Sequence, residues 1–201
     1  FGSLTHFTAK NAPQGAPARC LDGCPYAESC PYYAPRLYMD MTRTGWPVDV
    51  ITTDLSEEGR RRALEVGPYG RCVYHCDNDV VDRQVVNLEF EDGAVATFTM
   101  TGFSADFSRQ LKIFGTKGQI FADMGTGEIV LHPFGAEKQV VPLEEGNGSG
   151  HGGGDYGLMA DFLNILRSGG ESRTSAAVSL QSHLICFAAE RSRKEHIVVE
   201  L

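Results

Sequence analysis

The sequence predicts an α+β fold, a large, open and mostly antiparallel β-sheet covered on one face by helices. Three observations lead there. Runs of alternating apolar and polar residues fill the middle of the chain, the turns joining them are too short for parallel crossovers, and two long apolar stripes at helical spacing close the chain. A length of 201 residues, 42% of them apolar, is enough for one substantial core, so residues 1–201 are expected to form a single domain.

The opening "FGSLTHF" sets Phe1, Ser3, Thr5 and Phe7 against Gly2, Leu4 and His6 and reads as a strand. It has no initiator Met, so the chain reads as an excised piece of a larger protein. An irregular Pro/Gly/Cys segment follows over 11–30, then a short helical stretch in "YYAPRLYMDM" and a loop around Gly45-Trp46-Pro47. Asp54 is the expected N-cap of a helix through "LSEEGRRRALEVG", with Glu57 completing a capping box and Gly67 as its stop.

From Arg71 the period changes to that of strands. "VDRQVVNLEFEDGAVATFTMTGF" is two alternating runs around Asp92-Gly93, a hairpin because glycine accepts the positive φ of a tight turn. "RQLKIFGT" turns at Lys117-Gly118 into "QIFADM", and "GEIVLH" and "KQVVPL" follow. In the closing helices, Leu158, Met159, Phe162, Ile165 and Leu166, then Ala177, Leu180, Leu184 and Phe187, make stripes that an open sheet would cover. Cys186 falls on the apolar side of the last helix as packing, and His183 beside it reads as a hydrogen-bonded structural histidine.

Charge narrows the partners. Lys and Arg total 18 against 26 for Asp and Glu, a net charge of -8, and no basic run exceeds Arg60-Arg61-Arg62. Nucleic acid and anionic membranes are therefore excluded as expected partners. Apolar stretches such as residues 184–189 fall far short of the roughly 20 residues of a membrane span, and no signal-peptide pattern opens the chain. A soluble, cytoplasmic protein is expected.

Two dense patches are candidate ligand sites. "GNGSGHGGGDYG" contains Gly148-x-Gly150-x-x-Gly153, a formal dinucleotide fingerprint in the wrong context, since its helix is followed by another helix rather than a parallel strand. Its plain reading is a flexible loop leading to Asp155 as helix N-cap; its functional reading adds His151 as a group for a ligand hydroxyl or carboxylate. Asn147-Gly148-Ser149 is a glycosylation sequon without consequence in the absence of a secretory signal. In "GRCVYHCDNDVVD", Cys72, Tyr74 and Cys76 would share one strand face and Arg71, Val73 and His75 the other, ahead of a polar bend with Asp77, Asn78, Asp79 and Asp82.

Cys20, Cys24 and Cys30 lie within eleven positions on the irregular segment. Two readings stay open. One is a single structural zinc ion, held by these thiolates and a fourth ligand from Cys72 or Cys76, with Cys72 favoured because it follows the tight "GPYG" turn. The other is a loop of reduced, partly buried thiols. On one strand Cys72 and Cys76 would lie about 13 Å apart, so one ion takes only one of them.

The order of "FGSLTHF", "CPYYA", "YGRCVYHCDNDVVDRQVV", "FEDGAVATFTM", "IFGTKGQIFAD", "GHGGGD" and "SLQSHLICFAAERSR" resembles the C-terminal domain of the Gfo/Idh/MocA family of NAD(P)-dependent oxidoreductases. The resemblance spans nearly the whole chain. It implies that residues 1–201 are a substrate-binding and oligomerisation domain whose N-terminal Rossmann partner, the site of NAD or NADP and of a Glu-Lys-Pro motif, is absent from this chain. Glu137-Lys138-Gln139 is a chance near-match, and no Asp precedes a histidine by four, so the family's Asp-x-x-x-His helix is missing too. What carries over is substrate contact by His151 and Asp155, and by His75 and Asn78. The resemblance implies an oxidoreductase acting on a sugar, polyol or related hydroxylated compound, a homo-oligomer paired through the open sheet face, and no catalysis by this piece alone. The rival expectation is a stand-alone, non-catalytic interaction or metal-binding module.

Overall fold

The computed structural model describes residues 1–105, 108–142, 151–172 and 174–201. They form two compact units, Phe1–Gly102 and Phe103–Leu201. The architecture is α+β with antiparallel sheets. Where the sequence predicts one sheet, the described residues carry two, of three and four strands. Among the described residues no helix is long and apolar enough to cross a membrane.

The first unit contains strands β1 (Gly2–Ser3), β2 (Arg83–Glu89) and β3 (Val95–Thr101), in the order β1-β2-β3. β2 and β3 form the expected hairpin, in register from Arg83↔Thr101 to Glu89↔Val95. Gly93 takes φ 83° in its turn, and the Asp92 carboxylate accepts the Ala94 N–H at 3.0 Å. β1 is much shorter than the strand expected over residues 1–7. Buried Asp82 explains this: its carboxylate accepts the backbone N–H groups of Thr5 (2.8 Å) and His6 (2.6 Å). The Asn11 amide donates to the carbonyls of Thr5 and His6, so both sides of that backbone are bonded away from a ladder.

Helix α1 (Ala34–Tyr38) and helix α2 (Glu57–Val66) lie between β1 and β2. α2 begins two residues later than expected: Ser56 is the cap, its hydroxyl accepting from Gly59 N, while Asp54 holds the turn ahead by accepting from Ser56 N. Gly67 ends it as expected. Cys20, Ala34 and Leu64 form a small core, with Leu21, Tyr33, Tyr38, Met39 and Ile51 packed against it. Arg60 of α2 is completely buried and donates to four main-chain carbonyls, those of Leu55, Tyr38, Asp40 and Arg43, at 2.8–3.3 Å. A buried guanidinium is tolerated there because its N–H fork is satisfied by backbone that would otherwise lack donors.

The second unit holds a meander of β4 (Gln110–Gly115), β5 (Gly118–Asp123), β6 (Glu128–Pro133) and β7 (Gln139–Val141), followed by helices α3 (Gly154–Ser168) and α4 (Ala176–Glu195). The register pairs Leu111 with Ala122, Ile113 with Ile120, Ile120 with Leu131 and Ala122 with Ile129, so these six side chains share one face. Leu111 and Ile113 remain about half exposed, at 50% and 47%. The apolar stripes of α3 and α4 are not buried either: neither helix has a buried residue, and Phe162 and Phe187 are exposed. Cys186 is exposed rather than packed, and exposed His183 bonds the Ser179 carbonyl of its own helix at 2.7 Å.

Asp123, at the end of β5, accepts hydrogen bonds from Ser108, Gln110, Gly125 N and Thr126 N. The Ser108 and Gln110 side chains, then the Gly125 N–H, lower its pKa from 3.8 to about 2. The carboxylate therefore stabilises the fold above pH 3.8, and that contribution is lost as pH falls toward 2. Asp123→Asn should lower the urea midpoint at pH 7, with the deficit shrinking toward pH 2. A deficit independent of pH would assign the loss to packing instead.

Candidate functional site

The cysteine segment comes together through two short pieces of backbone. Arg19 and Arg71 form an isolated antiparallel bridge, closed by Cys20 N–H to Gly70 O (2.9 Å) and Cys72 N–H to Ala18 O (2.8 Å). Cys20 and Cys72 therefore stand diagonally on one side of a two-stranded ribbon, a spacing of about 7–8 Å between backbones. The Cys24–Cys30 stretch is organised by Arg36 of α1, which donates to the carbonyls of Cys30, Ala27 and Glu28 at 2.7–3.0 Å. The Arg19 guanidinium donates to the carbonyls of Leu64 and Gly67 and ties the ribbon to the end of α2.

Cys20, Cys24, Cys30 and Cys72 all line one cavity of about 20 Å³, with Tyr32, Tyr33 and Tyr74 among its walls. Burial raises the Cys20 pKa; the Ala34 N–H opposes that rise, and the nearby thiols of Cys72, Cys24 and Cys30 add to it. Among the described residues, no group of three or more His, Cys, Asp and Glu side chains is already arranged to hold a metal ion. The thiols surround a space without closing on it.

Cys76 does not line the cavity, and its Sγ donates to the Cys72 carbonyl at 3.3 Å. The strand expected through Cys72, Tyr74 and Cys76 is instead a turn, closed by His75 N–H to Cys72 O at 2.9 Å. The estimated 13 Å between Cys72 and Cys76 therefore does not apply, because it assumed extended backbone.

Of the expected substrate-binding residues, His151 and Asp155 are in contact: the His151 ring Nδ1 lies 3.0 and 3.1 Å from the two Asp155 carboxylate oxygens. Asp155 is not the helix cap. Gly153 is, at φ 93°, and Asp155 sits in the first turn of α3, where a negative charge suits the helix dipole. Both side chains are exposed. His75 and Asn78 belong to the other unit and are exposed, with the His75 Nε2 3.1 Å from the Ala16 carbonyl. Arg71 meets Asp77 at 2.7 Å, so the polar bend is partly an ion pair.

Gly148, Gly150 and the sequon at Asn147 lie outside the described residues. The part of the fingerprint that is described does not fit a dinucleotide. α3 leads to α4 rather than to a strand, and the strand pairs among the described residues are antiparallel. No protein-family profile matches the chain, and neither does any curated protein or solved structure.

Three sets of contacts in this region were not legible in the sequence. Asp82 gathers the backbone after β1; burial raises its pKa, but N–H bonds from His6, Thr5 and Phe7 outweigh that and leave it lowered. Tyr74, itself buried, brings its hydroxyl to 3.3 Å from His6 Nε2, in a cluster of rings with Phe7 and Tyr32. Arg19 and Arg36 are the third. Each contact joins residues far apart in sequence or targets a carbonyl, which carries no side-chain signal.

Proposed function

We propose that this chain is the substrate-binding and self-pairing part of an NAD(P)-dependent oxidoreductase of the Gfo/Idh/MocA type, acting on a sugar, polyol or related hydroxylated compound. The observation that carries the reading is the apolar face of the β4–β7 meander, with Leu111 and Ile113 about half exposed and Ile120, Ala122, Ile129 and Leu131 partly buried beside them. A flat face of that composition favours a protein partner over water, and a second copy supplies a self-complementary one. The His151–Asp155 pair adds an exposed donor and acceptor set suited to vicinal hydroxyls. In this reading the nicotinamide, which supplies the hydride chemistry when bound, is held by another domain; the residues described here orient substrate and take no part in cofactor binding.

Light scattering at increasing concentration should show a dimer, and Ile113→Glu should return it to monomer while leaving the circular dichroism spectrum unchanged. Monomer at every concentration would remove the pairing claim. Calorimetry should show no micromolar affinity for NAD(H) or NADP(H), whereas a panel of polyols should include one whose binding is lost in His151→Ala. Nicotinamide binding by the chain alone would contradict the reading. A second reading, a non-catalytic interaction or metal-binding module, is favoured by the thiol-lined cavity. The two separate on the upstream coding sequence: the first requires a strand, Gly-rich turn and helix within the preceding ~150 residues.

A further inference from the structure

The geometry points to a structural zinc site in which the thiolates of Cys20, Cys24, Cys30 and Cys72 hold one Zn(II) ion in the cavity they line. The space is the right size. About 20 Å³ is room for a single water-sized body, and a cavity needs roughly 10–15 Å³ to hold one. The donors select the metal. Among the described residues no carboxylate or imidazole lines the cavity, so hard cations that need oxygen ligands are disfavoured and a soft, tetrahedral ion is favoured.

The thiols ring the cavity but do not yet form a ligand set. A cysteine has a single torsion between backbone and sulfur, and a step between staggered wells re-aims Sγ without moving the chain. The backbone is already held on both sides: Cys20 and Cys72 by the ribbon, Cys30 by the bond its carbonyl accepts from Arg36, and Cys24 by the turn in which its carbonyl accepts the Ala27 N–H at 3.3 Å. On binding, the thiol protons leave to solvent, four S–Zn bonds form, and no electron is transferred.

A structural role follows from what surrounds the site. Between β1 and β2 the regular structure amounts to α1, α2 and single 3-10 turns, and the buried apolar side chains there are Cys20, Ala34, Val48, Leu64 and Tyr74. Small loop-rich assemblies with so little core need a covalent or metal staple. With four protein ligands the ion has no open position for a substrate. Zinc binding here is independent of whether the chain serves an oxidoreductase.

The test is metal analysis of the whole chain purified without chelator, and again after reloading the metal-free, reduced protein with Zn(II) against a chromophoric chelator. One zinc per chain is expected, and Co(II) in its place should give tetrahedral ligand-field bands with strong thiolate charge transfer. Losing an outer partner of a site costs 10–100-fold in affinity, so Cys72→Ser, which removes a ligand, should weaken binding at least about 100-fold. Cys76→Ser and Cys186→Ser should leave it unchanged. Should Cys72→Ser not fold, alkylation mapping of the wild type decides: zinc should protect Cys20, Cys24, Cys30 and Cys72 and leave Cys76 and Cys186 labelled. Less than about a tenth of a zinc per chain after reloading overturns the proposal. So do iron with acid-labile sulfide, or protection of Cys76 in place of Cys72.

Discussion

Arg60→Met is expected to destabilise the Phe1–Gly102 unit by about 3 kcal/mol or more in urea unfolding, from four carbonyls that each cost about 1–3 kcal/mol when left dry. The side chain is completely buried, and those carbonyls come from two stretches of chain, Leu55 just ahead of α2 and Tyr38, Asp40 and Arg43 at and after the end of α1. Methionine fills much of the volume but donates nothing, so the acceptors must either stay unpaired or admit water into the packing beside Leu64. Arg60→Lys should recover only part of the loss, because one ammonium cannot reach acceptors spread around a planar fork. Arg61→Met is the control. Its guanidinium meets Glu57 at 3.2 Å on the exposed face, and its removal should stay within about 0.5 kcal/mol. A loss below about 1 kcal/mol for Arg60→Met would mean that the carbonyls are hydrated without cost.

Gly70→Ala should be comparably severe for a different reason. A Cβ at this position would stand 1.7 Å from the Leu64 carbonyl oxygen and 2.6 Å from its carbon, both backbone atoms that cannot rotate aside. Overpacking typically costs 1–3 kcal/mol, and a collision of backbone with Cβ belongs at or above the upper end, about 3 kcal/mol. The damage should also spread in a readable direction. The Gly70 carbonyl accepts from Cys20 N–H, so separating Gly70 from α2 pulls the ribbon that carries Cys20 and Cys72. Buried Cys20 should then react with an aromatic disulfide under native conditions at a rate well above that in the wild type. A variant as stable as the wild type, with Cys20 still protected, would show that α2 and the Pro68–Gly70 turn slide apart without cost.

These sites also show what a single sequence reveals. The Asp92-Gly93 hairpin and the meander through Lys117-Gly118 were legible because turn chemistry and alternation are local, written within a dozen residues. Cys72 lines the same cavity as the three upstream cysteines, but the local backbone that brings it there was not legible. Residues 71–76 alternate like a strand and yet form a turn, since the pairing is a single bridge at Arg71 and the His75 N–H bonds back to the Cys72 carbonyl. The strand over residues 1–7 failed similarly, because an aspartate 77 positions away captures its amides. Ser56 displaced Asp54 as helix cap by a shift of two residues, within the usual ambiguity of helix ends. The stripes of α3 and α4 gave the helices correctly and their burial incorrectly, for periodicity specifies a face without specifying what covers it.

The arginine-to-carbonyl bonds of the first unit distribute tolerance to substitution unevenly. A carbonyl oxygen is the same in every residue, so acceptors of Arg36 and Arg60 are supplied whatever side chain stands at positions such as Ala27, Glu28 or Arg43. The guanidinium has no such equivalent. Point replacements along the irregular segment should therefore be absorbed at most acceptor positions, while deletion of a single residue, which moves every later carbonyl out of reach, should not be. The segment's architecture is thus sensitive to spacing and to three donors, and indifferent to which side chains those acceptor positions carry.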